Sequence, residues 1–506
     1  MKNHQSRIFL LLIACLLIVR VLVHIYFTGV YTDGDQTITW LSAVDKANGN
    51  WYTPYFYGQF YNISIEALLA APLIKFGINV KHAVPIVSNF IGLAPFLFGA
   101  WYLKRIKQQS AAMMILCLGL ILPAQYHFIT AMARGFAGGL AVLSFGVLLT
   151  SFKSNVVKTL GYSVAFISYF VNPNVLIIGF PLGLVWLVNW LTDIKQKKTT
   201  SLAHIALAAV IAGLTYYGLH ANNNPLFEVH KLWKLEVSID YLTNSFQSLD
   251  ARFLYLFPFL PKMGSLILLA LLILTVLLFV KRRTKHGVLM SVTLLFIIAT
   301  LSLNKTLDGT YSTFFPFSRM YLALPYVLVL AVSFFINHGL TKRLRNIFML
   351  IGGVGFCYQV YDIPKKATAS VQGNSGVVQV IRIDKLCLEC EKLHNIQQTY
   401  EADVTVFHYK TDEYIYGCKA LQPELKTVYP EYDRRYWTFM EHADTVYNTL
   451  LFMDWSMKLP ELLQSYEGDF NAIDSIHYPA FIMTDNSQSI IDLYTINSLR
   501  LRPYKN

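Results

Sequence analysis

The sequence predicts an all-α polytopic membrane domain followed by a small α/β extracytoplasmic domain. Three observations carry that prediction. The chain is 55% hydrophobic and 14% charged with a mean hydropathy of +0.43, too apolar for 506 residues of ordinary globular protein. Apolar stretches of 16 to 22 residues recur from residue 8 to about residue 361, near the length at which a helix crosses a bilayer. Beyond residue 361 the charge balance reverses. Residues 1 to 361 hold 28 Lys and Arg against 10 Asp and Glu, and residues 362 to 506 hold 14 against 20. The net +12 is thus a membrane part of +18 joined to an acidic domain of −6, and basicity of this kind marks loops beside a membrane, not nucleic-acid binding.

The first element, MKNHQSRIFLLLIACLLIVRVLVHIYF, has the basic start and apolar run of a signal peptide but no small-residue cleavage site after it, so it reads as a retained first span. Basic clusters at Lys2/Arg7, Lys104/Arg105/Lys107, Lys153/Lys158, Lys195/Lys197/Lys198, Lys281/Arg282/Arg283/Lys285 and Lys342/Arg343/Arg345 then assign the cytoplasmic loops. Together they give about eleven spans: 8 to 28, 83 to 103, 111 to 129, 135 to 152, 158 to 173, 175 to 192, 201 to 219, 263 to 280, 286 to 303, 318 to 337 and 345 to 361. The N-terminus lies inside and the domain at 362 to 506 outside. This path requires residues 63 to 77, ISIEALLAAPLIKFG, to lie in the interface or to re-enter; a full crossing would exchange the sides of every later loop.

Of the ten carboxylates in residues 1 to 361, only Asp193 falls on the inner side, so any chemistry faces outward. The outer loops at 29 to 82, 220 to 262 and 304 to 318 are longer than helix connections need to be, which points to function. In the first of them, YTDGDQ places Asp33 and Asp35 directly after the first span. One carboxylate there could act as a general base on a hydroxyl, and two could share a divalent ion; the plainer reading is a solvated turn, since Asp and Gly are turn formers. Next come Trp51, Tyr52, Tyr55, Phe56, Tyr57 and Tyr61 around Gln59. Such rings could stack on a sugar or form an interfacial aromatic belt, whereas Gln59 and Glu66 are less easily explained as belt residues. Arg134 and Arg319 flank the outer ends of spans, where a guanidinium can bind a phosphate bidentately or simply snorkel to lipid headgroups.

In chain order, these pieces resemble the polytopic glycosyltransferases of the GT-C fold, in the group akin to protein O-mannosyltransferases and lipid A aminoarabinose transferase. The resemblance rests on GDQ at 34 to 36, on YGQFY with Glu66 and LAAPLIKFG behind it, and on MARGFAGGLAVLSFGVLL at 132 to 149. VNPNVLIIGFPLGLVWLV at 171 to 188 and SRMYLALPYVLVL at 318 to 330 complete it. It implies inverting transfer of a sugar from a polyprenyl-phosphate donor to an acceptor hydroxyl on a glycan, lipid or protein at the outer face. Asp35 would be the general base, Arg134 or Arg319 would steady the leaving phosphate, and Tyr57, Gln59 and Glu66 would contact substrate. The family's second acidic residue is replaced here by Gln36, which leaves Asp33 as a candidate second carboxylate and leaves metal use open. The same membrane pattern would also suit a transporter or lipid-linked sugar flippase, although the carboxylates cluster outside and no two related halves are evident. Short loops and Lys-rich composition suggest a bacterial cytoplasmic membrane, with an endoplasmic reticulum location and a luminal active site as the alternative.

In residues 362 to 506, VVQVIRI, ADVTVFHY and AFIMTD have the pattern of strands. CEKLHNIQQTYEA and HADTVYNTLLFMDWSMKLPELLQSY have that of helices, giving a small α/β domain. Cys387, Cys390 and Cys418 allow one disulfide with a spare thiol, or free thiols, or with His394 a Cys3His zinc site. Neither bridge nor metal would imply catalysis there.

Overall fold

The structure is a computed structural model that describes residues 2–59, 62–195, 200–221, 235–336, 341–372, 380–408, 412–431, 433–454, 470–473 and 480–497. Tyr61, residues 222–234 of the second predicted outer loop and residues 455–469 of a predicted helix lie outside these. Helix α1 (Lys2–Val23) ends in a π-helical turn (His24–Thr28) and is followed by β1 (Tyr31–Asp33), α2 (Gly34–Ala47) and α3 (Ile65–Lys75). Then come α4 (Val80–Arg105), α5 (Gln109–Ile121), α6 (Ala124–Ala131), α7 (Gly138–Thr150), α8 (Asn155–Val171), α9 (Leu176–Lys195) and α10 (Thr200–Ala221). The short α11 (Ile239–Gln247) and α12 (Leu249–Arg252) precede α13 (Leu266–Val280), α14 (Thr284–Thr300), α15 (Leu324–Ile336) and α16 (Thr341–Gln372). The last segment alternates β2 (Val380–Arg382), α17 (Ile383–Thr399), β3 (Val404–His408), α18 (Asp412–Leu421), β4 (Thr427–Val428), α19 (Tyr436–His442), β5 (Leu450–Asp454), β6 (Phe470–Ile473), β7 (Ala480–Met483) and α20 (Ile490–Ile496).

Two compact units result. The helical unit comprises Met1–Thr28, Pro85–Ala221 and Lys234–Val378; the second contains Gly29–Val84 and Gln379–Asn506. A helix lies at each of the eleven predicted span positions. Three are long and apolar enough to cross a bilayer unaided, Gln5–Thr28, Val80–Arg105 and Asn346–Gln372, and the pair α5 and α6, bent by 96°, would make a fourth, broken span. Six of the others contain shorter apolar helices. The last helix continues past the predicted end at 361 to Gln372, with Pro364 inside it.

Within the helical unit, close packing depends on small residues. A Cβ on Gly146 of α7 would stand 2.6 Å from the Ala165 backbone nitrogen of α8, and one on Gly161 of α8 would stand 2.7 Å from that of Thr150. These helices therefore approach backbone to backbone, as small residues permit where no water drives association. The break after α5 falls at Pro123, which has no N–H to continue the helix. Buried Arg20 of α1 holds the broken region, donating to the Gly92 carbonyl at 2.7 Å, the His127 carbonyl at 3.1 Å and Thr130 Oγ1 at 3.0 Å. Arg20→Ala leaves those acceptors without their charged donor, and we expect a loss of about 2–4 kcal/mol. Thermal unfolding of the detergent-solubilised chain measures it; an unchanged midpoint would show that Arg20 does not hold the break.

The second unit joins an N-terminal loop to the C-terminal segments. Strand β1 pairs antiparallel with β2, Tyr31 opposite Arg382 and Asp33 opposite Val380. The main sheet has the order β4-β3-β5-β7-β6, with β3 parallel to β4 and β5, and β7 antiparallel to β5 and β6. Val404, Val406, Phe452 and Met483 on one face pack with Phe439 of α19 and with Leu493 and Tyr494 of α20. Gln397 of α17 donates to Thr405, whose side chain points to the opposite face by the alternation of a strand. The predicted α/β character is therefore present, with a correction: Leu450–Asp454, predicted as helix, is the buried strand β5. An apolar run covered on both faces has no period of two to distinguish it from a buried helix. Helix α3 has 11 residues, about 16 Å, too short to cross a bilayer.

The zinc alternative is corrected as well. Cys390 and Cys418 form a disulfide between α17 and α18, which removes two of the four candidate ligands. Cys387 is a free thiol with Lys81 Nζ at 3.8 Å, and His394 Nε2 lies 3.0 Å from Gln398 Nε2.

Candidate active site

The motif YTDGDQ forms a strand end and a helix start. Asp33 is the N-cap of α2: it is fully buried, and its Oδ1 accepts from the Gln36 amide at 3.0 Å. Gly34 follows because α18 arrives there. A Cβ on it would stand 2.6 Å from the Asp412 Cβ, a contact no side chain can make. Gly34→Ala must push α18 away from α2, and we expect a loss of about 1–3 kcal/mol, read as a lower unfolding midpoint. An alanine variant as stable as the native chain would refute this account of the close approach.

Asp35 occupies the first turn of α2 and differs from Asp33 in keeping contact with solvent. Its side chain is 29% exposed and its Oδ1 lies 3.2 Å from Arg434 Nη2; the same nitrogen lies 3.5 Å from Asp412 Oδ2. The two carboxylates thus differ in surroundings: Asp33 caps α2 from a buried position, and Asp35, the one the family resemblance favours as base, keeps contact with solvent. Each already has a partner on one oxygen, the Gln36 amide for Asp33 and the Arg434 guanidinium for Asp35. Among the described residues no group of three or more His, Cys, Asp or Glu could hold a metal ion.

From Gln36 to Lys46, α2 is buried on every side. At its far end the Tyr57 hydroxyl donates to Asp45 Oδ2 at 2.7 Å, and Arg435 Nη1 lies 3.7 Å from the same oxygen. Trp437 packs edge-on against Tyr57 with ring centroids 5.2 Å apart. Burial, with Asp45 beside it, holds the Tyr57 phenol well above its usual range. Burial lowers Lys46, which donates to Ser42 Oγ at 2.6 Å, to about 8, and raises the Asp433 carboxyl. Tyr57, predicted to touch substrate, is therefore enclosed, with its ring turned to Trp437. Glu66, in the first turn of α3, is buried, and half-buried Gln59 accepts weakly from Asn62 Nδ2 at 3.4 Å.

In the helical unit, Arg134 and Arg319 come together around one ring. Their guanidinium carbons lie 5.9 Å and 3.9 Å from the Phe315 centroid. Arg134 donates to the Phe314 carbonyl at 2.7 Å, whereas Arg319 is tied to Asp308 through Oδ2 at 2.8 Å and the carbonyl at 2.5 Å. Arg252 stacks on Phe317 at 4.3 Å and donates to the Thr306 carbonyl at 3.0 Å, so three arginines gather on residues 304 to 321. The sequence reading missed Arg434, Arg435 and Asp412. The available signal was DRRYW at 433 to 437, a basic pair beside aromatics in an otherwise acidic segment.

No family model and no curated protein matches the sequence. Solved structures do match. The crystal structure of ArnT from Cupriavidus metallidurans in the apo state superposes with a TM-score of 0.56 at 12% identity, over 96% of this chain and 98% of that one. The chain has the ArnT fold. ArnT from the same organism bound to undecaprenyl phosphate superposes with a TM-score of 0.54 at 12% identity, over 94% of this chain and 97% of that one. The likeness to ArnT extends over the membrane helices and the C-terminal segments alike, and the resemblance to GT-C glycosyltransferases holds at the level of fold.

Proposed function

We propose that this protein is an integral membrane glycosyltransferase that takes a sugar from a polyprenyl-phosphate donor and passes it, with inversion, to an acceptor hydroxyl at the outer face. The observation that carries the reading is Asp35: a solvent-accessible carboxylate at the start of a rigid buried helix, in a chain that follows the ArnT fold over 96% of its length. One of the matching ArnT structures holds undecaprenyl phosphate, which supports a lipid-linked donor here.

Asp35 would accept the proton of the acceptor hydroxyl as its oxygen attacks the anomeric carbon, and the bond from that carbon to the phosphate would break. The departing polyprenyl phosphate needs no acid if a guanidinium compensates its charge. Arg134 or Arg319 would supply that guanidinium, the second also holding the 308 to 316 segment through Asp308. The eleven spans, the inside N-terminus and the bacterial cytoplasmic membrane belong to the same proposal, because they put Asp35 on the side where flipped lipid-linked sugars are presented.

The test compares envelope and lipid-linked glycans by mass spectrometry in cells lacking the protein and in cells with it restored. We expect one glycan to lose a single sugar in its absence and to regain it on restoration. Accumulation of the lipid-linked sugar on the inner side, with every acceptor intact, would instead indicate a flippase.

A further inference from the structure

Arg434 is placed with more care than a surface ion pair requires. Its backbone amide donates to the Tyr416 hydroxyl at 2.8 Å, that hydroxyl donates to Asp433 Oδ1 at 3.4 Å, and Asp433 Oδ1 also accepts from the Arg435 amide at 2.7 Å. Tyr416 is fully buried on α18. Four residues before it, Asp412 opens the same helix, where Gly34 lets it approach α2. The Arg434 side chain is 13% exposed and its Nη2 stands between Asp35 at 3.2 Å and Asp412 at 3.5 Å. One guanidinium thus serves two carboxylates from segments far apart in sequence, and each partner is fixed by its own backbone contacts.

We propose that Arg434, with Asp412, is a positioning residue for Asp35 that keeps its carboxylate ionised and aimed for proton transfer. The inference rests on the reading of Asp35 as general base. Two carboxylates around one cation carry a net −1. Without the cation they face each other as like charges, and one of them holds its proton to higher pH. The acidic groups on the packed elements are Asp33 at the end of β1, Asp45 on α2, Glu66 on α3, Glu413 on α18 and Asp433. The cations there are held at other places: Lys46 and Arg435 at the far end of α2 with Ser42 and Asp45, Lys419 of α18 on the Pro423 and Leu425 carbonyls, and Lys75 in the last turn of α3. Loss of Arg434 should therefore move the acidic limb of activity upward in pH, and removal of the Asp412 charge in the same chain should move it back.

The experiment reads the initial rate of glycan restoration by mass spectrometry after induction in cells lacking the protein, in media buffered from pH 5 to 8, at matched membrane levels. Arg434→Gln is expected to run about tenfold below wild type at pH 5 and to approach it at pH 8. Arg434→Lys keeps the wild-type pH profile at a lower plateau. The double variant Asp412→Asn with Arg434→Gln recovers at pH 5 relative to Arg434→Gln alone. A loss in Arg434→Gln that is equal at every pH, or a double variant no better than the single one, overturns the proposal and leaves Arg434 a packing residue. Failure of wild type itself to restore any glycan overturns the transferase reading instead, so the two failures are distinct.

Discussion

Asp35→Asn is expected to cut sugar transfer by a factor of about 10² to 10⁴, the usual contribution of a positioned general base, in a chain that still folds and inserts. Asparagine has the size of aspartate and can keep a hydrogen bond to Arg434, but it cannot take a proton from the acceptor hydroxyl. The informative partner is Asp33→Asn. Asp33 is fully buried and caps α2 through the Gln36 amide, and asparagine caps a helix about as well as aspartate does. That variant should therefore transfer sugar within a few-fold of wild type. The two residues stand two apart and carry the same charge, so the contrast isolates proton transfer from charge or packing. Initial rates of glycan restoration at matched membrane levels decide it. Wild-type rates in Asp35→Asn, or an equal loss in Asp33→Asn, would remove Asp35 from the role of base.

What the sequence made legible was what hydropathy and charge encode. Apolar runs marked helices at all eleven predicted positions, and the shift in charge near residue 361 marked the start of a different kind of chain. Helix α2 was hidden because its polar residues Thr37, Thr39, Ser42, Asp45 and Lys46 are buried against protein, so its pattern reads as a loop. A signal was nevertheless present: Asp33 followed three residues later by Gln36 has the spacing of a capping box. Tyr57 shows the opposite failure. An aromatic beside a membrane suggested a surface ring, yet its hydroxyl had a buried acid to satisfy, and Asp45 drew it inward. For Arg434 the DRRYW stretch marked the residue but not its partner, since the pairing with Asp35 spans most of the chain and depends on the tertiary approach of α18 at Gly34.

That dependence makes the disulfide the second large effect. Cys390 and Cys418 are both buried, they are 28 residues apart, and their bond ties α17 to α18, the helix whose first residue meets Gly34 and Arg434. A cross-link closing a loop of this length stabilises by about 2–4 kcal/mol, chiefly by restricting the unfolded chain. The double variant Cys390→Ala with Cys418→Ala should therefore unfold at a clearly lower temperature than wild type, and should transfer sugar more slowly because α18 is less firmly held against α2. Reductant should lower the wild-type midpoint toward that of the double variant and leave the double variant unchanged. Cys387→Ser removes only the free thiol one turn earlier on α17 and should melt as wild type does under oxidising conditions. The three midpoints separate a bridge from a general sensitivity of cysteines in this unit. A double variant that melts with oxidised wild type would mean that packing of α18 on α2, with glycine at both Gly34 and Gly417 to permit the approach, fixes Asp412 without the covalent tie.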